Sequence, residues 1–469
     1  MKVKTVRSTW MERDGLRLDC NPYMSGSQEA RDALENLHIP KEPLRTLTAG
    51  FAGGIYNGPQ FRRNYVDSSE FGVPFLTSGN VPQGDFTRLP FLRKKDAHSP
   101  RLAFLQLAPG TTLISCSGTI GRMTYVRWGM RGIWSSQDVL KVVPDSSKIP
   151  PGYVYAFLSS KFGVPLVVSG TYGAIIQHIE PEHIADLPVP RFDDVFEKRI
   201  DKLVSESAKL IDSHVELVNK ATSDLFAFLG TKDLDDVAWM SDRTPLGWAE
   251  TRLCSESFRA LNYDPRIADI VTRISTGKTD PLGSLCDPKQ FKGKIVFTRI
   301  DASPDYGVML LGQRNAFHLR PEGRWISKKS IAGLGLQVPA GTTLIPSHGT
   351  LGEFELYCRA LIVTERSTRY AYSGDFFRCV PLPEKVRPGY LFAFLRSRTA
   401  FRMLRTISTG GKQQEQHPAM MWRLPIPRLA DEQEAQIAEK VNQACADLDR
   451  ALDLEEEART LVEKAIQGE

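Results

Sequence analysis

The chain has 469 residues, of which 41% are hydrophobic and 25% charged, with 60 Lys and Arg against 55 Asp and Glu. A hydrophobic share of that size supports folded cores and excludes a chain disordered throughout, and the length suggests roughly three domains at ~150 residues each. Seven scattered cysteines without a C-x-x-C pair exclude a disulfide framework and a cysteine zinc ribbon. No apolar run approaches the ~18 residues of a membrane span, and Met1–Arg7 lacks the apolar core of a signal peptide, so a cytoplasmic protein without a membrane partner is expected.

In chain order, residues 1–191 are expected to form a first mixed, mostly β domain. Gly72–Thr77, Thr111–Ser115 and Lys141–Val143 are short β-branched and aromatic runs bounded by Gly, Pro and Asp, the pattern of strands. Pro151–Lys161 reads as a short helix opening on proline, with Tyr, Phe and Leu on one face. Residues 40–191 carry 16 Lys and Arg against 10 Asp and Glu, a net +6. After Leu187-Pro-Val-Pro-Arg191 comes a first long spacer helix, 192–229, with Ile200, Val204, Ser207, Ile211, Val215, Val218, Ala221 and Leu225 at three- and four-residue steps.

Residues 230–279 read as a linker, rich in Asp and Trp (Trp239, Trp248), together with the entry segment of a second domain. That domain, residues 280–428, has 22 basic against 11 acidic residues, a net +11. Its short helix spans Pro388–Arg398. A second long spacer helix, 429–469, repeats Ile437, Val441, Ala444, Leu448, Leu452, Ala458 and Val462. Residues 431–469 are net −8 and residues 192–279 net −4, so two basic blocks are set among acidic segments. Basic blocks of this kind indicate a polyanionic partner.

The two halves are copies. Gly110-Thr-Thr-Leu-Ile-Ser-Cys-Ser-Gly-Thr-Ile-Gly121 returns as Gly341-Thr-Thr-Leu-Ile-Pro-Ser-His-Gly-Thr-Leu-Gly352. Asp138-Val-Leu-Lys-Val-Val-Pro144 returns as Asp375-Phe-Phe-Arg-Cys-Val-Pro381, and Pro151-Gly-Tyr-Val-Tyr-Ala-Phe-Leu158 as Pro388-Gly-Tyr-Leu-Phe-Ala-Phe-Leu395. Leu187-Pro-Val-Pro-Arg191 matches Leu424-Pro-Ile-Pro-Arg428, and Glu42-Pro-Leu-Arg-Thr-Leu47 faces Asp280-Pro-Leu-Gly-Ser-Leu285. A period near 235 residues is too long for a solenoid and fits two tandem copies of one domain with its trailing helix.

The apolar stripe on each long helix is narrow, about two positions in seven, which suits a coiled-coil seam. The seam residues are Ile200, Val204, Ile211, Val215, Val218 and Leu225 on one helix and Ile437, Val441, Leu448, Leu452 and Val462 on the other. Pairing the two antiparallel gives a rod of ~45 Å with one basic domain at each end; packing of each helix on its own domain is the alternative.

Catalytic motifs fare poorly. Thr276-Gly-Lys-Thr279 lacks the glycine a phosphate-binding loop needs at position 272, which is Thr. Asn21-Pro-Tyr23 lacks one proline of an amino-methyltransferase signature and has no cofactor loop ahead of it. Asp287-Pro-Lys289, with Asp280 upstream, has the acid-x-Lys form of a nuclease site but reads as a solvated turn. The eight histidines show no metal-ligand spacing.

What remains is binding chemistry. Ser117-Gly-Thr-Ile-Gly121 and His348-Gly-Thr-Leu-Gly352 place glycines around a hydroxyl, so that backbone N–H groups, Ser117, Thr119, His348 and Thr350 can approach phosphate or a base edge; a tight turn between strands is the plainer reading. Between the shared blocks the copies differ. The first carries Arg62, Arg63, Arg93, Lys94, Lys95 and Arg122, with Thr77, Ser78 and Asn80 as polar candidates. The second carries Lys292, Lys294, Arg299, Arg314, Arg324, Lys328 and Lys329, with Thr298. One scaffold with two sets of basic and polar insertions suits two readers of different DNA sequences.

In this order and duplication the chain resembles the specificity subunit of a type I restriction–modification system. The resemblance rests on the duplicated domain–helix plan, the Gly-Thr-x-Gly loops and the Leu-Pro-x-Pro exits. It extends to the opening segment Arg17-Leu-Asp-Cys-Asn-Pro-Tyr23 with Pro43-Leu44, and to Glu432-Gln433, where the family opens its helix. Ser135-Ser-Gln137 and Gln414 sit where that family carries polar residues around its recognition loops. The first helix departs from the pattern, opening with Asp193-Asp-Val-Phe-Glu197.

The resemblance implies an α+β fold: two tandem mixed, mostly β target-recognition domains joined by two long helices in an antiparallel coiled coil. It implies a non-catalytic chain that reads a bipartite target on double-stranded DNA, the helices fixing the gap. Two adenine-N6 methyltransferase subunits would dock on the helices and a translocating restriction subunit could join them. S-adenosylmethionine and ATP would belong to those partners, with no cofactor or metal on this chain. A stand-alone metal-dependent nuclease using Asp280, Asp287 and Lys289, or a DNA-binding regulator acting without a methyltransferase, are the other classes open.

Overall fold

The structure is a computed structural model describing residues 3–13, 16, 20–169, 178–234, 239 and 257–469, with the backbone alone at 21 and 22. Arg17, Leu18 and Asp19 of the opening segment, and Trp248 with residues 235–238 and 240–256 of the linker, lie outside the described residues. The chain divides into two units, Met1–Asp212 with Arg450–Glu469, and Ser213–Asp449. Each long helix, Asp194–Phe228 and Asp431–Gln467, is therefore divided between them.

The first unit holds strands β1 (Lys41–Pro43), β2 (Ile55–Tyr56), β3 (Tyr65–Val66), β4 (Gly72–Leu76), β5 (Phe91–Arg93), β6 (Thr112–Ser115), β7 (Met123–Tyr125), β8 (Trp134–Ser135), β9 (Val139–Val142) and β10 (Pro188–Pro190). They form a β2-β9-β6-β7 sheet, a β3-β5-β4-β8 sheet and a β1-β10 ribbon. Every residue of β6 and β9 is buried, which is why these stretches read as nearly continuous apolar and β-branched runs. β4 runs parallel to β8 and the other pairs are antiparallel.

The second unit repeats the plan with β11 (Thr279–Pro281), β12 (Gly307–Leu311), β13 (Arg324–Ser327), β14 (Thr343–Pro346), β15 (His348–Gly349), β16 (Leu361–Ile362), β17 (Ala371–Tyr372), β18 (Phe376–Cys379), β19 (Ser408–Gly410), β20 (Gln414–Gln416) and β21 (Pro425–Pro427). The β16-β14-β18 sheet matches β7-β6-β9, β13-β12-β17 matches β5-β4-β8, and β11-β21 matches β1-β10. The second unit also holds a small β15-β20-β19 sheet. Residues 257–279 fold as part of this unit: helix Pro265–Ile274 buries Ile270 and Ile274, and Trp239 lies 3.9 Å from the Arg266 guanidinium.

In each unit one core joins sheet, short helix and both long helices. Tyr153, Val154, Phe157 and Leu158 pack with Ile114, Leu140, Ile200, Val204, Ala458 and Val462. Tyr390, Leu391, Phe394 and Leu395 pack with Ile345, Phe377, Val218, Leu225, Ile437 and Val441. The glycine of each Pro-Gly-Tyr is the point of close approach: a Cβ on Gly152 would lie 2.9 Å from the Asp201 Cα, and one on Gly389 2.7 Å from the Ala438 carbonyl.

The long helices run antiparallel within both units. Arg199 faces Glu457 at 3.8 Å in the first; in the second, Ser213 donates to Asp447 at 2.7 Å and Lys440 meets Asp224 at 3.3 Å. The two arrangements weighed from sequence coexist, because each helix end also packs on a domain. The buried face is accordingly wider than a two-in-seven seam, taking in Ser207, Ala208, Thr222 and Phe226 on one helix and Asp447, Ala451, Leu454 and Glu455 on the other. Val215, Leu448 and Leu452 are only half-buried, since the stripe drifts past them toward Ala451 and Leu454.

A duplicated junction explains the arginine ending each Leu-Pro-x-Pro-Arg. Arg191 grips Glu197 through Nε and Nη2 (3.0 and 3.1 Å) and reaches Glu42 at 2.5 Å; Arg428 grips Glu434 (2.8 and 3.0 Å) and reaches Asp280 at 2.6 Å. Tyr153 and Tyr390 donate to the Pro190 and Pro427 carbonyls at 2.6 and 2.5 Å. A second repeated contact ties each long helix to the domain preceding it. Asp212 Oδ2 accepts from the Gly129 N–H and Asp449 Oδ2 from the Arg366 N–H, both at 2.9 Å.

One equivalent pair is buried cation. Arg378 satisfies its guanidinium on the carbonyls of Gly335, Phe376, Tyr372 and Ser373. Lys141 donates to the Val139 carbonyl at 2.9 Å beneath the Tyr56 ring, and burial pulls its pKa down to about 7. The folded chain then binds fewer protons than the unfolded one between pH 7 and the ordinary lysine range. Stability rises with pH across that window, and the penalty is complete below it. Lys141→Met is expected to raise stability by on the order of 3 kcal/mol at pH 6 and by little near pH 10, read from unfolding midpoints; an equal gain at both pH values contradicts this.

Candidate nucleic-acid interface

In the first unit, β4 ends beside β8, with Leu76 opposite Ser135, and β6 ends beside the start of β9. The loops leaving these strands therefore lie together: Thr77–Asn80, Ser136–Asp138 and Cys116–Arg122. Ser136 N–H donates to Leu76 O at 2.8 Å and Cys116 N–H to Asp138 O at 3.1 Å. Ser115 Oγ closes the Gly-Thr-Ile-Gly turn, donating to the Thr119 carbonyl (2.7 Å) and accepting from the Arg122 N–H (3.0 Å). Gly118 and Gly121 adopt φ of 76° and 79°, which explains the two glycines. Ser117 bridges His178 across a short antiparallel contact, leaving Thr119 exposed at the tip.

The other candidates of this copy divide. Arg63 reaches the loop cluster, donating to Asp138 at 2.9 Å, and Arg62 is exposed beside it. Gln137 is half-buried in the cluster, with its carbonyl 3.7 Å from Cys116 Sγ. Thr77 and Asn80 cap each other, Thr77 Oγ1 donating to Asn80 Oδ1 at 2.8 Å; Ser78 stays half-exposed. Arg93 stands opposite Gly72, at the far end of the five-residue β4, so Arg93, Lys94 and Lys95 are not brought to the loops. Arg93 holds Asp96 (3.0 and 2.8 Å), whose carboxyl it keeps below the usual range, Lys94 donates to the Glu70 carbonyl at 2.7 Å, and Lys95 is exposed.

The second unit gathers more. Arg324, opposite Leu310 near the end of β12, lines a cleft of about 610 Å³ with Arg299, Asn315, Ser373 and Asp375. The Asp375 carbonyl accepts from Ser347 at 2.7 Å, which sets the cleft beside the His348 loop. Arg314 is exposed next to Asn315, and Arg324 pairs with Asp301. Lys292, Thr298 and Thr350 are exposed; Lys294 points to Glu415 at 3.4 Å. Lys328 and Lys329 follow β13 at the opposite end of β12. The two Gly-Thr loops differ in backbone despite their matching sequences. His348–Gly349 pairs in extended form with Gln414–Glu415, and a Cβ on Gly349 would sit 2.9 Å from Tyr357.

Sequence reasoning missed Asp138, Asp375, His178 and Glu415. The duplicated aspartate was visible in the repeat, where it passes for scaffold; His178 and Glu415 differ in type at matching positions and leave no repeat signal. Among the described residues, no group of three or more His, Cys, Asp and Glu could hold a metal ion, and no helix is long and apolar enough to cross a membrane. Asp280 is committed to Arg428, and Asp287 caps its own turn, accepting from the Lys289 N–H at 2.9 Å.

No protein-family model matches the chain, and no curated protein matches it. The chain is similar to a solved type I restriction–modification S subunit from M. genitalium, with 12% identity over 92% of this chain and 94% of that one and a TM-score of 0.33. It is also similar to the HsdS subunit from Thermoanaerobacter tengcongensis, with 11% identity over 91% and 96% of the chains and a TM-score of 0.26. A chain in a structure describing complex assembly of the type I R-M system matches with 12% identity over 91% and 98% and a TM-score of 0.26.

Proposed function

We propose that this chain is a sequence-specific DNA-recognition subunit that reads a two-part duplex target and directs partner adenine-N6 methyltransferase subunits, with or without a restriction subunit, to it. The observation that carries the reading is the division between what the copies share and what they do not. Junction arginines, tyrosines, helix-bound aspartates and buried cations recur pair by pair. The loop tips do not: Ser117 and His178 in one copy stand where His348 and Glu415 stand in the other. Selection for two different readings on one frame has that form, whereas two copies of a catalytic site would repeat the chemistry. S-adenosylmethionine and ATP then belong to the partners. The nuclease reading loses Asp280 to a structural ion pair.

The exposed cations supply phosphate contacts. Lys292→Ala combined with Arg314→Ala is expected to weaken binding to duplexes of any sequence and to reduce the slope of log K against log salt by about 2, near 0.9 per lost phosphate contact. An unchanged slope removes these residues from the interface, and a chain whose duplex affinity ignores salt contradicts the reading.

A further inference from the structure

We infer that Glu415 and Lys294 together read a single C·G base pair in the half-site of the second unit, Glu415 accepting from the cytosine N4 amine and Lys294 donating to the guanine O6 or N7. This rests on the DNA-recognition reading and adds the residues and base pair to it.

The placement comes from the small β15-β20-β19 sheet of the second unit. β20 has alternating burial, with Gln414 and Gln416 inside, so Glu415 points outward from its centre. It stands opposite His348 in one neighbouring strand and Thr409 in the other. His348 holds the carboxylate from below, Nε2 lying 3.0 Å from Oε1, while its Nδ1 is 2.9 Å from Ser347 Oγ, which is itself anchored to the Asp375 carbonyl. The imidazole is nearly enclosed, with a side chain 12% exposed. Glu415 and Lys294 face outward at 47% and 63%. Both of these contacts of Glu415 fall on Oε1, which leaves Oε2 for an outside donor.

A carboxylate at the tip of a block carrying net +11 is repelled by phosphate, so its place there needs a donor that DNA offers only on base edges. In the major groove cytosine presents a lone N4 donor. Adenine sets its N6 donor beside the N7 acceptor, and guanine and thymine present acceptors. In a C·G pair the cytosine N4 and guanine O6 are hydrogen-bonded to each other, about 3 Å apart. The protein offers a carboxylate and an ammonium side by side, Lys294 Nζ lying 3.4 Å from Glu415 Oε1, in the complementary order. The first unit places Ser117 and His178 at the matching bridge, a pair without a carboxylate, so the preference for C·G belongs to one half-site.

The test is selection of a randomised duplex DNA library on the full chain, comparing wild type with Glu415→Gln and Lys294→Ala. Wild type is expected to enrich a two-part motif. Each variant is expected to lower C·G preference about tenfold at one shared position in one half while the other half is unchanged. If Glu415→Gln disturbs the small sheet, Lys294→Ala, altered at an exposed ammonium, still reads the same position. Wild-type motifs from both variants, or shifts at two different positions, overturn the assignment. A wild-type chain that enriches no motif contradicts the DNA-recognition reading itself.

Discussion

Arg428→Ala lowers the stability of the protein by about 3–5 kcal/mol, which corresponds to roughly 10 °C in unfolding midpoint. Glu434 is 2% exposed and both its oxygens accept from Arg428. Removing the guanidinium strands a buried carboxylate and frees Asp280, so the strand β11, the exit strand β21 and the start of the second long helix lose their common tie. Their ion pairing also raises the Arg428 pKa above its ordinary value, with the Glu434 hydrogen bonds as the first cause. The double change Arg428→Leu with Glu434→Leu is expected to recover most of the loss, because the buried carboxylate of Glu434 goes with its partner and only the less enclosed Asp280 is left unpaired. Calorimetry on the two variants separates the cases: equal destabilisation in both contradicts the stranded-charge account. Arg191→Ala should act in the same way through Glu197 in the first unit.

Adding one heptad to each long helix, between Asp212 and Ser213 and between Asp449 and Arg450, shifts the preferred spacing between half-sites by about three base pairs. Seven residues lengthen a helix by ~10 Å at 1.5 Å each, and duplex rises ~3.4 Å per base pair. Inserting into both keeps the antiparallel contacts in register within each unit, since Ser213–Asp447 and Lys440–Asp224 fall on one side of the insertions and Arg199–Glu457 on the other. The half-site sequences themselves should not change, because no recognition loop is touched. An unaltered gap contradicts a spacer role for the helices.

Much of the frame was legible because duplication exposes it. Apart from the Gly-Thr loops, the blocks read from the repeat fall on elements that recur: the Pro-Gly-Tyr helices, the buried strands β6 and β14, the Leu-Pro-x-Pro-Arg exits. The partner of each exit arginine was not legible, since Glu197 and Glu434 lie six residues on, inside helices whose acidic face looked like ordinary solvent exposure. The helix seam was read too narrowly for a related reason: heptad spacing records helix–helix contact but not the additional burial against the domains. The site was legible as composition only. Arg63, Arg299, Arg324, Lys294 and His348 converge on loops, whereas Arg93–Lys95 and Lys328–Lys329 fall at the other strand ends, and only strand pairing could tell them apart.

The most direct measurement is the pattern of N6-methyladenine across the genome of cells with and without this gene. The account predicts a two-part motif with a fixed internal gap that is methylated when the gene is present and unmethylated when it is deleted. The same methylation pattern in both strains contradicts it.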